Sequence, residues 1–171
     1  MKDDETLLNQ VASASYDPAD RPFDFVGEGG ATALVCEPDP VIREKIGDGL
    51  KKIGYKVTMP AKAVDALKAM RFHIFDVVIL NERFDSADPQ TNGVLQYLAN
   101  MAMATRRRLF VALVCDGCRT MDHMAAFTRS VNIVINLNNI DHVGEIIRQG
   151  VADQRAFYHV YQETLRKMGK V

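Results

Sequence analysis

The sequence of 171 residues contains no tryptophan and only three cysteines. An odd number of cysteines in a chain of this size argues against the disulfide framework that stabilises many small secreted domains. Positive and negative charges nearly cancel, with 21 Lys and Arg against 22 Asp and Glu and a net charge of -1. No overall electrostatic field would therefore draw this chain to nucleic acid or to acidic lipid.

Long apolar runs are also missing. The longest apolar stretches have the length of a β-strand, and none approaches the roughly 20 residues that a membrane-spanning helix requires. The N-terminus is acidic from Asp3 onward and lacks the apolar core of a signal peptide. We therefore expect a cytoplasmic protein with neither a membrane nor nucleic acid among its partners.

Several motifs that would indicate a cofactor or a catalytic centre are absent. The four histidines form no H-x-x-x-H or H-E-x-x-H pattern, and no serine lies in a nucleophile elbow. The glycine-rich stretch Gly27–Gly30 precedes the first predicted strand, whereas a phosphate-binding loop follows one. The basic cluster Arg106–Arg108 is typical of a solvated helix end. We predict no cofactor.

The sequence divides into three parts by composition. Residues 1–31 combine a short apolar patch (Leu7, Leu8, Val11) with Asp-Pro, Arg-Pro and Gly-Glu-Gly-Gly, which interrupt regular structure. We predict a flexible arm or linker over residues 1–31, one domain over residues 32–150 and a helical extension over residues 151–171.

From residue 32 onward, apolar strands alternate with amphipathic helices. Strands are predicted near 32–36, 56–59, 76–81, 109–114 and 132–135, and helices near 40–53, 64–70, 91–103, 120–130 and from 139 onward. Strands this uniformly apolar are typical of a parallel sheet covered by helices on both faces. Because crossovers are right-handed, we predict an α/β fold with a doubly wound, five-stranded parallel sheet of order 2-1-3-4-5 and an extended C-terminal helix.

Polar side chains follow the predicted strands at their carboxyl ends, where doubly wound sheets bind ligands. These residues are Glu37, Asn81, Cys115 and Asn136. The arrangement over residues 32–150 resembles the receiver domain of two-component response regulators. In that family strand 3 ends in an aspartate that accepts a phosphoryl group, and an amide such as Asn81 cannot form the acyl phosphate.

Other positions depart from the family pattern as well. The resemblance implies a second acid after strand 1, a threonine or serine after strand 4, a lysine and proline after strand 5, and an aromatic switch residue within strand 5. This chain has Pro38, Cys115, Asn136 with Leu137, and Ile133 there. We therefore predict a degenerate pseudo-receiver without a metal site, whose altered pocket comprises Glu37, Pro38, Asn81, Arg83, Cys115 and Asn136.

Two alternatives concern the segment after strand 3. If the register is shifted, Asp85 is the phospho-acceptor, although it then lies four residues beyond the strand. Arg83 either enters the altered pocket and pairs with Glu37, or it is a solvated loop residue. The sequence leaves both questions open.

The motif Cys115-Asp116-Gly117-Cys118 lies at a predicted strand-to-helix turn. A helix N-terminus lowers the pKa of a thiol, so a redox pair is chemically reasonable there. Together with Cys36 and His123, the same thiols form a set that suits zinc. The cysteines are otherwise small buried residues at strand ends, and a single C-x-x-C does not decide between these interpretations.

The C-terminal part has a heptad-like pattern that predicts one long helix. Ile147, Val151, Tyr158, Tyr161 and Leu165 recur at helical spacings, with the polar Gln154 between them. Gly150 is expected to weaken this helix by up to about 1 kcal/mol relative to alanine. The pattern predicts a surface for homodimerisation or for an unidentified protein partner; alternatively, it packs on its own domain or on residues 7–11.

These observations favour a non-enzymatic function. We predict a phosphorylation-independent domain that mediates protein–protein interaction in bacterial signal transduction. The alternative function is thiol redox chemistry or metal binding through Cys115 and Cys118.

Overall fold

A computed structural model describes residues 30–86 and 88–170. In this part of the chain, the strands are β1 (Thr32–Cys36), β2 (Lys56–Thr58), β3 (Val77–Asn81), β4 (Phe110–Cys115) and β5 (Ile133–Asn136). All neighbouring strands pair in parallel, in the order β2-β1-β3-β4-β5. The predicted fold class and strand order are confirmed. Most of the predicted arm over residues 1–31 lies outside the described residues.

The described residues contain helices α1 (Pro40–Lys52), α2 (Ala63–Phe72), α3 (Gly93–Ala99), α4 (Met103–Arg106), α5 (His123–Thr128) and α6 (Val143–Lys167). The prediction of a single helix over 91–103 is wrong, because α3 ends at Ala99 and the separate short helix α4 begins at Met103. Asn100 caps α3, and asparagine favours helix ends because its amide competes for backbone hydrogen bonds. A short 3-10 helix (Leu137–His142) precedes α6.

The sheet separates two apolar layers, because successive side chains of a strand point to opposite faces. One layer contains Leu34, Leu80 and Leu113 and lies under α2, α3 and α5. The other contains Val35, Ile79 and Val114 and lies under α1 and α6. Strands β1, β3 and β4 are buried along their whole length. The polar residues at their carboxyl ends therefore follow strands that are packed on both faces.

Helix α6 is 25 residues long and continues through the predicted domain boundary at residues 150 and 151. Its first half is part of the core, since Ile147 and Val151 are buried in the layer shared with α1. These two residues were predicted to form an interaction surface, and that prediction is wrong for them. Gly150 has a packing role, because a Cβ there would lie 2.5 Å from Cζ of the Phe110 ring.

Beyond Val151, α6 packs against the segment around α4. The Gln154 amide donates to the carbonyl oxygens of Arg107 (3.5 Å) and Leu109 (3.3 Å). The predicted C-terminal extension is therefore the second half of a core helix. Among the described residues, no helix combines the length and apolarity needed to cross a membrane.

Candidate functional site

The carboxyl ends of β1 and β3 bring Glu37 and Asn81 into contact. Glu37 directly follows β1, Asn81 is the last residue of β3, and these strands are neighbours in the sheet. The Asn81 Nδ2 donates a hydrogen bond of 2.8 Å to Oε2 of Glu37. Both residues are buried, with 1% of Glu37 and 8% of Asn81 exposed. Two residues of the predicted pocket are therefore in direct contact.

The remaining acceptors of this pair are also engaged. The backbone N–H of Asp39 donates to Oε1 of Glu37 at 3.1 Å, and the backbone N–H of Arg83 donates to Oδ1 of Asn81 at 2.8 Å. Burial raises the pKa of Glu37 above its ordinary value; the hydrogen bonds from Asn81 and Asp39 and the charge of Arg43 offset this only in part. The Asp39 carboxylate itself caps α1, accepting from the backbone N–H groups of Val41 and Ile42.

The loop after β3 contains Arg83 and Asp85, the two charged residues about which the sequence left alternatives open. Arg83 is exposed, and the ion pairs within the described part of the chain do not include one between Arg83 and Glu37. Asp85 adopts a positive φ of 51°, and its Oδ2 accepts the backbone N–H of Ala63 at 2.9 Å. Asp85 is thus engaged at the start of α2, and the register that places Asn81 at the end of β3 is correct.

The structure also reveals polar residues around the pair that the sequence reasoning missed. Asn92 is fully buried and donates to the carbonyls of Asn81 and Glu82, both at 3.1 Å, while its Oδ1 caps α3. The buried carboxylate of Glu82 pairs with Arg129 at 2.9 Å. Asn92 precedes Gly93 and an apolar run, which is a helix N-cap signal. No local signal pairs Glu82 with a residue 47 positions away.

The ends of β4 and β5 meet at a second cluster. Cys115, at the end of β4, forms a disulfide with Cys118. The Asn136 amide donates to the carbonyls of Asp116 (2.9 Å) and Cys118 (2.6 Å). Asn136 therefore ties the loop that contains the disulfide to the end of β5. The Thr120 hydroxyl adds a link, accepting the backbone N–H of Asn136 at 2.9 Å.

Cys36 remains a free thiol, buried in the core layer under α2 and α3. Burial raises its pKa far above the usual value, which keeps it in the unreactive thiol form. Within residues 30–86 and 88–170, no three His, Cys, Asp or Glu side chains are grouped closely enough to hold a metal ion. The zinc arrangement with His123 is not formed.

Comparison with known proteins identifies the architecture. No protein-family model matches the chain, and no curated protein matches it. Solved structures do match, among them a putative response regulator from Chloroflexus aurantiacus, with a TM-score of 0.59, 17% identity, and coverage of 72% of this chain and 99% of that one. The chain has the fold of a receiver domain.

Two further solved structures share this receiver fold. A CheY-like receiver domain protein from Methanospirillum hungatei has a TM-score of 0.57 and 17% identity, and the match covers 75% of this chain and 98% of that one. NtrX from Brucella abortus, solved with ADP, has a TM-score of 0.62 and 17% identity, with coverage of 82% and 30%. At these identities the likeness establishes the fold alone.

The residues at the carboxyl ends do not suit the Mg²⁺ that receivers bind there. Mg²⁺ prefers several hard oxygen ligands in octahedral geometry. Both oxygens of Glu37 already accept hydrogen bonds, the neighbouring Pro38 offers no side-chain oxygen, and the Asn81 amide directs its nitrogen at Glu37. This arrangement does not fit the metal.

A concave surface, here called the basic groove, lies between α4 and the second half of α6. Its volume is about 470 Å³. The predicted interaction residues Tyr158, Tyr161 and Leu165 line it. The full lining consists of residues from both helices and the segments that follow them: Ala104, Arg107, Arg108, Tyr158, Tyr161, Gln162, Leu165, Arg166 and Lys170.

Proposed function

We propose that this chain is a pseudo-receiver that mediates protein–protein interaction in bacterial signal transduction without accepting a phosphoryl group. One observation carries the proposal: the residue at the end of β3 is an amide, and its nitrogen is hydrogen-bonded to the buried carboxylate of Glu37. An amide offers no anionic oxygen for attack on phosphorus. Phosphoryl transfer also depends on positioned positive charge, and Asn136 stands where the family has lysine.

The exposed part of α6 supports an interaction role. Phe157 and Val160 are 80% and 72% exposed, on the side of the helix that does not pack against α4. Exposed aromatic and apolar side chains that lie together on one face are typical of protein interfaces. A partner or a second copy of the chain is therefore the proposed ligand, and a non-enzymatic role and a cytoplasmic location are parts of the same proposal.

The phosphorylation claim is tested by intact mass spectrometry after incubation with acetyl phosphate and Mg²⁺. We expect no phosphoryl adduct on the wild-type protein. The Asp85→Asn variant is the matched control, because it removes the acid that a shifted register would make the phospho-acceptor, and it should behave identically. An adduct on the wild type that disappears in Asp85→Asn would overturn the proposal.

The bond between Cys115 and Cys118 favours a second candidate function, a thiol switch. Reduction would free the Cys115–Cys118 loop from a crosslink while leaving Asn136 hydrogen-bonded to it. Closing so short a loop stabilises a protein by about 2 kcal/mol or less in the chain-entropy model. A pair of this kind in a reducing compartment is normally reversible.

We expect dithiothreitol to lower the free energy of unfolding by up to about 2 kcal/mol and to accelerate amide exchange in residues 116–120. The Cys115→Ser/Cys118→Ser variant should not respond to dithiothreitol, and the Cys36→Ala variant should respond as the wild type does. Complete alkylation of Cys115 and Cys118 in protein purified without reductant would contradict the switch.

A further inference from the structure

The basic groove concentrates positive charge that no ion pair among residues 30–86 and 88–170 neutralises. Arg107, Arg108, Arg166 and Lys170 line it, and no acidic side chain of the described residues does. Within that same part of the chain, none of these four residues forms an ion pair. Since the whole chain has a net charge of -1, the concentration is a local property of this surface.

The fold holds Arg107 in place on the wall of the groove. Its guanidinium carbon lies 5.0 Å from the centre of the Tyr161 ring, and its Nη1 donates to the Tyr161 hydroxyl at 3.2 Å. Cation–π contact and this hydrogen bond restrict the side chain, while no other hydrogen bond or ion pair within the described part of the chain engages its remaining N–H groups. A pre-positioned arginine loses less conformational entropy when it binds a carboxylate.

The end of α6 places Lys170 at the same surface. Gly169 adopts a positive φ of 64°, which glycine accepts without a steric penalty. Its backbone N–H donates to Arg166, and the backbone N–H of Lys170 donates to Leu165, both at 3.0 Å. This is the Schellman arrangement that ends many helices. It folds the chain back, so that Lys170 lines the groove near Leu165.

The floor of the groove is apolar. Tyr158 and Leu165 are half-buried between the two helices. We propose that the basic groove binds an acidic segment of a partner protein, with carboxylates on the cationic rim and one apolar or aromatic side chain on this floor. The inference rests on the proposed function and specifies the partner's chemistry.

The dimensions of the groove favour a peptide segment over nucleic acid. Duplex DNA presents one charge per about 1.7 Å and is bound by extended positive surfaces. The cations of the groove are confined to the end of α6 and the segments that directly follow α4 and α6, and a volume of about 470 Å³ accommodates only a few side chains. Charged hydrogen bonds with apolar anchoring are typical of short acidic motifs.

Fluorescence anisotropy with the full-length protein tests the proposal. The probe is a fluorescein-labelled, glutamate-rich peptide that contains leucine and phenylalanine, and the same peptide with glutamine in place of glutamate is the control. The Arg108→Glu/Arg166→Glu variant removes two exposed rim cations. The Lys52→Glu/Arg148→Glu variant makes the same change in net charge at exposed positions outside the groove.

We expect the Arg108→Glu/Arg166→Glu variant, called the rim variant, to weaken binding of the glutamate peptide at least tenfold. The Lys52→Glu/Arg148→Glu variant should weaken it less than about threefold. The Arg108→Lys/Arg166→Lys variant keeps the charges and should retain most of the affinity. Equal losses in both glutamate variants, equal binding of the glutamine peptide, or no binding at millimolar peptide would overturn the proposal. So would tighter binding of a labelled single-stranded oligonucleotide, or a dimer that dissociates in the rim variant. Peptide binding does not depend on labelling by acetyl phosphate. A failure of the groove proposal can therefore be distinguished from a failure of the pseudo-receiver proposal.

Discussion

At the scale of single residues, the buried pair of Glu37 and Asn81 determines what the carboxyl end of the sheet can do. A buried carboxylate is costly unless donors satisfy it, and here the Asn81 amide and the backbone of Asp39 supply them. The amide therefore stabilises the acid beside it. An aspartate at position 81 would instead place a second carboxylate against Glu37.

We expect Asn81→Asp to lower the free energy of unfolding by about 1–3 kcal/mol at neutral pH, because Glu37 loses its donor and gains a like charge. The pKa of Glu37 is already raised in the folded protein, and the new carboxylate would raise it further. The folded state then holds a proton that the unfolded chain releases. Stability is consequently lost as pH rises through the raised pKa, and is recovered below the ordinary value of 4.5.

Urea unfolding of both proteins across acidic and neutral pH measures this effect. The Asn138→Asp variant is the matched control, because it introduces the same charge at an exposed position. An Asn81→Asp variant that equals the wild type in stability at neutral pH would show that the amide donor is dispensable.

At the scale of elements, α1 and α6 approach closely because glycines face each other where they meet. A Cβ at position 144 would lie 2.9 Å from the carbonyl oxygen of Gly49, and a Cβ at position 49 would lie 2.7 Å from the Val143 side chain. The sequence shows the apolar stripes of both helices, but it does not show which small residues oppose one another.

Gly144→Ala is therefore expected to destabilise the protein by up to about 2 kcal/mol. Displacing the backbone of α1 typically costs about 1–3 kcal/mol, which exceeds the gain in helix propensity of up to about 1 kcal/mol. Chemical denaturation measures the difference. Gly117→Ala is the control, since a Cβ there meets no atom within 4 Å, and its effect should stay within about 0.5 kcal/mol. If Gly144→Ala instead raised the free energy of unfolding, α1 and α6 could move apart without loss of stability, which would contradict the prediction.

At the scale of the whole molecule, net charge conceals how the charges are distributed. The consecutive residues Arg106, Arg107 and Arg108 are an example. The sequence predicted that all three form a solvated helix end, and this prediction is wrong for Arg106. Its guanidinium donates to the carbonyls of Leu109 and Ser130 and to the side chain of Asn132, and burial lowers its pKa. Arg107 and Arg108 instead line the basic groove.

The sequence by itself determined the alternation of strands and helices, their order in the sheet, and the residues Glu37, Asn81 and Asn136 at the carboxyl ends. These features follow from local periodicity and from the few topologies that right-handed crossovers permit. Tertiary structure decided the rest: Asp85 accepts a hydrogen bond from the first residue of α2, Glu82 pairs with Arg129, and Ile147 and Val151 of the predicted interaction surface belong to the core. Each of these outcomes depends on contacts between residues far apart in the chain, and a pattern of nearby residues contains no information about them.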